Sequence, residues 1–205
     1  KSNLVKALSF MRRIVLKGFP EGYTDSYCKV SDEYKDKKSY FEVEIMLGEK
    51  YYAYGFEAIL SQGKFVSEWL VELLGDNKEK TIFNRDIERG TYELGDEVNI
   101  KGLIDKLNVY AEDIQQDSGV LLLSVMNQNK KMLYQQYERA SVFQDVYRWM
   151  REGLDINYPD RPISDYSYMA ETENVEEVCR MIAAFGTGIT GFKMVEVPVE
   201  KVIRY

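Results

Sequence analysis

The feature that most constrains this chain is a regular alternation of apolar and polar residues between positions 40 and 94. Apolar side chains occupy every second position over residues 41–47 and again over residues 52–58. A period of two is typical of a strand that buries one face and exposes the other. The pattern therefore predicts an antiparallel sheet of four or five strands from Tyr40 to about Leu94. Glycine-containing turns separate the runs at residues 48–49, 62–63 and 75–77.

The alternation also predicts which side chains are buried. The apolar residues of the third run, Phe65, Trp69, Val71 and Leu73, are predicted to face the same side as those of the second, so Trp69 is expected in the core, and Gly55 is a candidate bulge. Acidic residues fill the opposite parity, and Glu57, Glu68 and Glu72 among them suggest a cluster of catalytic carboxylates. The alternative is that they are solvated side chains on the wet face of the sheet, and we favour that interpretation.

A motif with specific chemistry stands at the start of the sequence, where Lys1 and Ser2 precede an amphipathic helix. In a complete phosphate-binding loop, a lysine reaches the β- and γ-phosphates, and the Ser or Thr that follows holds Mg²⁺. On this interpretation Lys1 and Ser2 bind a nucleotide, and Ser2 is also the Mg²⁺ ligand. The alternative is that the pair opens an ordinary helix. The predicted apolar stripe of that helix consists of Leu4, Leu8, Met11 and Val15.

The first eight residues, Lys-Ser-Asn-Leu-x-x-Ala-Leu, resemble the P-loop helix of the ABC-like ATPases. This group includes RecF, SMC and the overcoming-lysogenization-defect proteins. The chain looks similar in particular to the AAA-family ATP/GTP-binding proteins of bacterial abortive-infection systems. This resemblance implies ATP and Mg²⁺ as cofactors, a homodimer that closes on the nucleotide, and an effector protein as a further partner. Three later segments carry the same resemblance: Tyr51–Leu73, Ala140–Leu154 and Gly186–Val197.

Parts that such an ATPase needs are missing between residues 1 and 205. No apolar strand ends in Asp and Glu, no glycine-rich signature segment is visible, and no glycine loop precedes Lys1. We therefore expect an internal piece of an ATPase, cut inside the P-loop. Phosphoryl transfer depends on positioning by all the parts together, so the parent protein is the expected ATPase and this piece alone is expected to be inactive.

Composition excludes several other functions. The chain has no histidine, which removes His-based acid–base catalysis, Ser-His triads and His metal sites. Cys28 and Cys179 lie far apart, so they indicate neither a metal site nor a redox pair. The net charge of −7 argues against a nucleic-acid footprint over the whole segment, although it is compatible with a local basic patch. With no apolar run of about 18 residues and no visible signal peptide, we expect a cytoplasmic protein without a membrane partner.

From residue 100 onward the apolar period changes to that of helices. Helices are predicted around residues 100–111 and 142–154, while the run at residues 120–123 is too short to decide between a strand and a buried helix. Gly186 is predicted to end the last helix, with a strand after it over residues 192–197. The predicted buried side of that helix consists of Val175, Val178, Ile182 and Phe185.

These observations predict an α+β fold: a partial P-loop ABC-like ATPase lobe with a P-loop helix, an antiparallel β-meander and a mostly helical second half. Residues 1–99 are expected to form an incomplete nucleotide-binding lobe, and residues 100–205 a mostly helical region that ends in a strand. The favoured function is part of an ATP-hydrolysing protein of an anti-phage system. The alternative is a non-enzymatic interaction module built on the aromatic meander. Nothing in the sequence supports DNA as a partner.

Overall fold

The computed structural model describes residues 2–19, 26–76, 78–156, 175–186 and 188–191. The chain divides into two units, residues 1–156 and residues 157–205. The first unit contains a long helix, a five-stranded sheet and a series of shorter helices. An α+β fold is therefore confirmed. No helix in the described part of the chain is long and apolar enough to cross a membrane.

The sheet is an antiparallel meander in which each strand pairs with the next one along the chain. The period-two alternation predicted an antiparallel sheet over this part of the chain, and the structure confirms it. Short connections join neighbouring strands, as hairpins allow. The strands are β1 (Ser39–Leu47), β2 (Lys50–Ile59), β3 (Lys64–Gly75), β4 (Lys78–Asp86) and β5 (Thr91–Leu94).

Helices account for most of the other regular structure. In the first unit they are α1 (Ser2–Lys17), α2 (Leu103–Asp113), α3 (Leu122–Met126), α4 (Lys131–Gln136) and α5 (Ser141–Arg148). A π-helical turn, Trp149–Gly153, continues α5. The apolar run at residues 120–123, which the sequence left undecided, leads into α3, and its three leucines are buried whereas Val120 is half-buried.

The core lies between one face of the sheet, here called the inner face, and the helices that cover it. Phe10 of α1 stacks on Phe41 of β1 with 5.4 Å between ring centroids. Phe83 of β4 stacks on Phe143 of α5 at 5.6 Å. Aromatic pairs at such distances contribute beyond the apolar area that they bury. The helices are therefore fixed to the sheet at two separate strands.

Only the second half of α1 is buried in this core. Met11, Ile14 and Val15 are buried, whereas Leu4 is 66% exposed, so the predicted stripe holds for its second half alone. The buried half is also held by polar contacts. The Arg12 guanidinium donates to two backbone carbonyls near the end of the π-helical turn, those of Arg151 at 2.6 Å and Leu154 at 3.0 Å.

A β-bulge in β3 reverses the predicted parity of that strand. Ala58 of β2 faces Phe65, but its neighbour Glu57 faces Ser67, so Val66 is an extra residue. A bulge of this kind moves every later side chain to the opposite face. The prediction that Trp69 lies in the core is therefore wrong, because it lies on the face away from the helices, here called the outer face. The bulge also lies after Gly55 rather than at it.

The same reversal corrects the prediction for the acidic residues. Glu68 and Glu72 are buried on the inner face instead of solvated, whereas Glu57 stays on the outer face and is half-buried. A buried carboxylate needs partners, because an unpaired charge is costly to remove from water. The contacts of Glu68 and Glu72 are described below.

The second unit contains one described helix, α6 (Val175–Ala184). Gly186 follows it with a φ of 68°, and its N–H donates to the carbonyl of Ala183. The predicted helix-ending turn is thus confirmed. Phe185 was predicted to be buried and is 84% exposed, because it lies beyond the end of the helix. The predicted strand at residues 192–197 lies outside the described residues.

Candidate functional site

Of the two residues predicted to bind nucleotide, Ser2 is the first described residue of α1, and Lys1 lies outside the described residues. Asn3 and Leu4, which follow, are exposed. The first N–H groups of a helix have no partner within the helix, so a helix start of this kind favours an anion. Within the described ranges, no group of three or more Cys, Asp or Glu residues could hold a metal ion.

A buried polar network lies between the sheet and α3. The carboxylate of Glu68 accepts hydrogen bonds from the backbone N–H groups of Leu122 at 2.6 Å and Leu123 at 3.0 Å. The hydroxyl of Tyr54 donates to the same carboxylate at 3.1 Å. Glu68 thus satisfies the first N–H groups of α3, which would otherwise have no partner.

Arg85, the cross-strand neighbour of Glu68, completes this network. Its guanidinium donates to the backbone carbonyls of Val120 at 2.8 Å and Asp117 at 2.7 Å, and also to that of Ile114. The Arg85 Nη1 atom lies 3.9 Å from a carboxylate oxygen of Glu68. Together the two side chains bind both ends of the connection between α2 and α3.

Burial determines the protonation chemistry of this pair. Removal from water raises the pKa of Glu68 to about 7, even though the amides of Leu123 and Leu122 and the charge of Arg85 favour the ionised form. Burial likewise raises the pKa of Tyr54, and the neighbouring Glu68 adds to that effect. A carboxyl group that titrates near neutrality suits general acid–base work. Its contacts are entirely internal, however, so we assign it a structural role.

A groove of about 940 Å³ opens between the tip of the β1–β2 hairpin and α5 with its π-helical turn. Tyr52 and the buried Glu72 line it on the sheet side, and Trp149 lines it on the helix side. Its further charged lining residues are Lys50, Glu97, Glu138, Arg139, Asp145, Arg148 and Glu152.

The cations of this groove are engaged in ion pairs with its carboxylates. The Lys50 ammonium lies 2.9 Å from Glu72, and the hydrogen bond between them raises the pKa of Lys50. The other two pairs join Arg139 to Glu97 at 3.8 Å and Arg148 to Asp145 at 3.4 Å. A charged ligand would have to replace one of these pairs. The groove therefore favours no single class of ligand.

The outer face of the sheet carries a different combination of groups. Its residues form four rows across the strands, defined by the strand register. The first row is Tyr40, Glu57, Ser67, Asp86 and Thr91. The second is Glu42, Gly55, Trp69, Asn84 and Glu93. The third is Glu44, Ala53, Val71 and Thr81, and the fourth is Met46, Tyr51, Leu73 and Glu79.

An aromatic pair forms the centre of the first two rows. Trp69 and Tyr40 lie 5.1 Å apart between ring centroids. The Trp69 indole N–H donates to the carboxylate of Glu42 at 2.6 Å. A side chain at Gly55 would come within 2.5 Å of the indole, so glycine is required for Trp69 to lie flat on the sheet.

Sequence reasoning missed the buried network and the groove for different reasons. For the network, Glu68 stands in an alternating strand run, but the bulge reversed its expected face, and Arg85 belongs to β4 although its charged neighbours indicate a turn. For the groove, the paired residues Lys50 and Glu72 or Glu97 and Arg139 are far apart along the chain. Their separation leaves no local motif.

Compared with known proteins, the chain matches no protein-family model, no curated protein and no solved structure.

Proposed function

We propose that this chain is the nucleotide-binding part of an ATP-hydrolysing ABC-like ATPase. The observation that carries the proposal is that the Lys-Ser pair leads directly into the amphipathic helix α1, which is the order of residue types and secondary structure at the end of a P-loop. Lys1 would hold the phosphates as a point charge, and the Ser2 hydroxyl would ligate Mg²⁺. Bound Mg²⁺ would neutralise the charge that develops on the phosphates.

The packing of α1 supports this proposal further. Its second half is fixed in the core through Met11, Ile14 and Val15, and Arg12 anchors it to the end of the π-helical turn. The first turn is thereby held on a rigid element. A rigid binding group loses little conformational entropy when its ligand binds. Asn3 and Leu4 are exposed beside it, which leaves room for a nucleotide and for other parts of a nucleotide-binding lobe.

The remaining features of the proposal come from the family resemblance. They are a homodimer that closes on ATP and Mg²⁺, an effector protein as partner and a role in anti-phage defence. The cytoplasmic location is proposed from the sequence instead, which contains no apolar run of about 18 residues. The net charge of −7 gives no reason to add DNA to the partners.

The decisive experiment measures ATP binding by the natural protein, including any residues that precede Lys1. Lys1→Ala should weaken ATP-Mg²⁺ binding at least tenfold, because a charge-assisted hydrogen bond contributes about 1.5–3 kcal/mol and about 1.4 kcal/mol is a factor of ten. Lys6→Ala is the matched control, since Lys6 is an exposed lysine of the same helix. Calorimetric titration gives both affinities. Equal ATP affinity in the Lys1→Ala variant and the natural protein would refute the assignment.

A second candidate function is a protein-interaction module without nucleotide chemistry. It is favoured by the large side chains that the outer face exposes, since Tyr40 is 60% and Tyr51 54% exposed. Exposed patches of this kind mark interaction sites more commonly than isolated apolar residues do. The two candidates are separable, because changes at Lys1 and changes on the outer face lie on different elements.

A further inference from the structure

The charge on the outer face is of one sign. The four rows that the strand register defines contain no lysine or arginine. Three basic residues stand beyond the first row: Lys38 pairs with Glu88, Arg89 pairs with Asp86, and Lys64 begins β3. The carboxylates of the four rows are Glu42, Glu44, Glu57, Glu79, Asp86 and Glu93.

The aromatic pair lies among these carboxylates. The rings of Tyr40 and Trp69 pack at a tilt of 30° beside Glu42, and Tyr40 faces Glu57 across the strands. Burial raises the pKa of Tyr40 to about 12, together with its hydrogen bond to Glu42 and the nearby charges of Glu57 and Glu44. Aromatic rings in a field of negative charge attract cations to their faces. Arginine combines this contact with a planar fork that fits carboxylates.

The same charge argues against other occupants of the face. Nucleic acid and anionic lipid would bring phosphates against the carboxylates, and both need basic residues that the four rows lack. A second copy of this sheet face would place like charges opposite each other. A partner with cationic side chains is the occupant that this charge distribution fits.

We propose that the outer face of the sheet binds a segment of a partner protein that is rich in arginine and lysine. One cationic side chain of the segment lies over the Tyr40–Trp69 pair, and others pair with carboxylates such as Glu44 and Glu93 on either side. The exposed side chains of Met46 and Tyr51 contact the apolar parts of the segment. This inference rests on the interaction-module function and is independent of ATP binding at Lys1.

Trp69 offers a direct readout. The chain has two tryptophans, so a Trp149→Phe background leaves Trp69 as the reporter. The full chain in this background is titrated with an oligoarginine peptide, and an oligoglutamate peptide of equal length is the negative probe. We expect saturable quenching or a shift of Trp69 emission with oligoarginine only. The affinity should fall as salt is raised to about 0.15 M, where charges are screened within about 8 Å.

Charge removal tests the carboxylates without disturbing the sheet. Glu44→Gln/Glu93→Gln should weaken oligoarginine binding several-fold, up to about tenfold, as expected for two exposed charge pairs. Asp105→Asn/Asp113→Asn removes the same charge from exposed positions of α2 and should leave the affinity unchanged. Circular dichroism melts check that each variant is folded.

Every outcome decides the inference. Absence of oligoarginine binding, or an equal loss in the α2 control, overturns it. The inference is also overturned if the Glu44→Gln/Glu93→Gln variant binds oligoarginine with unchanged affinity, because the carboxylates would then play no part in binding. If a neutral apolar peptide binds the face as tightly as oligoarginine does, the cationic preference is wrong while the interaction-module function stands. An ATP titration of the natural protein addresses the ATPase proposal separately.

Discussion

The guanidinium of Arg85 lies 3.9 Å from the carboxylate of Glu68, and both side chains are fully buried beneath the connection between α2 and α3. The two residues face each other across β3 and β4. Both side chains form most of their hydrogen bonds with backbone groups at the two ends of this connection, and not with each other. The pair therefore attaches the helical part of the first unit to the centre of the sheet.

Loss of the cation in this pair should destabilise the fold strongly. Arg85→Met would leave a buried carboxylate without its cation and three backbone carbonyls without their donor, and breaking a buried pair in this way costs about 3–5 kcal/mol. Arg89→Met is the control, because Arg89 is 82% exposed and its pair should contribute under about 1 kcal/mol. Urea unfolding followed by circular dichroism gives both free energies. A loss no larger than that of the control would contradict the structural role.

Stability should depend on pH through Glu68. Its pKa is raised to about 7 in the folded protein, whereas an unfolded glutamate titrates at about 4.3. The folded state thus binds the proton more tightly, so the contribution of Glu68 is fully present below about pH 4 and is lost as the pH rises through about 7. The loss is roughly 4 kcal/mol.

A glutamine at this position isolates the effect. In Glu68→Gln the free energy of unfolding should lack this fall between about pH 4 and pH 7, because the site no longer titrates. Glu44→Gln, an exposed change on the same sheet, serves as the control and should keep the wild-type profile. Parallel profiles for wild type and Glu68→Gln would show that Glu68 titrates normally in the folded protein.

The hydroxyl of Tyr54 should contribute a modest and measurable amount. Tyr54→Phe removes the buried donor to Glu68 while keeping the ring, so the expected cost is about 0.5–1.5 kcal/mol. Tyr51→Phe removes a hydroxyl from an exposed tyrosine of the same strand and should cost almost nothing. Chemical unfolding of the two variants makes the comparison. If Tyr54→Phe and Tyr51→Phe have equal free energies of unfolding, the Tyr54 hydroxyl makes no net contribution to stability.

A methyl group at Gly55 should displace Trp69 from the sheet. The added carbon would lie 2.5 Å from the indole and 2.6 Å from the carbonyl oxygen of Phe41, and overpacking of this kind typically costs about 1–3 kcal/mol. Gly119→Ala, where the closest atom is a side-chain oxygen of Asp117 at 3.1 Å, is the milder control. We expect a red shift of Trp69 emission in Gly55→Ala only. Unchanged emission would show that the indole does not lie over Gly55.

The sequence could predict the elements whose patterns are local. Alternation and turn residues identified the sheet and its extent, and Gly186 identified the end of α6, because these signals depend on backbone geometry over a few residues. The helix α1 agrees with the helix that the spacing of its apolar residues predicted.

Tertiary structure alone decided which side chains face the core of β3. One extra residue, Val66, moved Trp69 to the outer face and placed Glu68 inside, and no local pattern distinguishes this bulge from regular alternation. Two of the partners of Glu68, the backbone N–H groups of Leu122 and Leu123, lie more than fifty residues away, on α3. Likewise, the four rows of the outer face exist only after five strands are paired in register. Local propensity determines where strands form, whereas register and burial arise from contacts between distant segments, and they determine which charges are paired and which remain exposed.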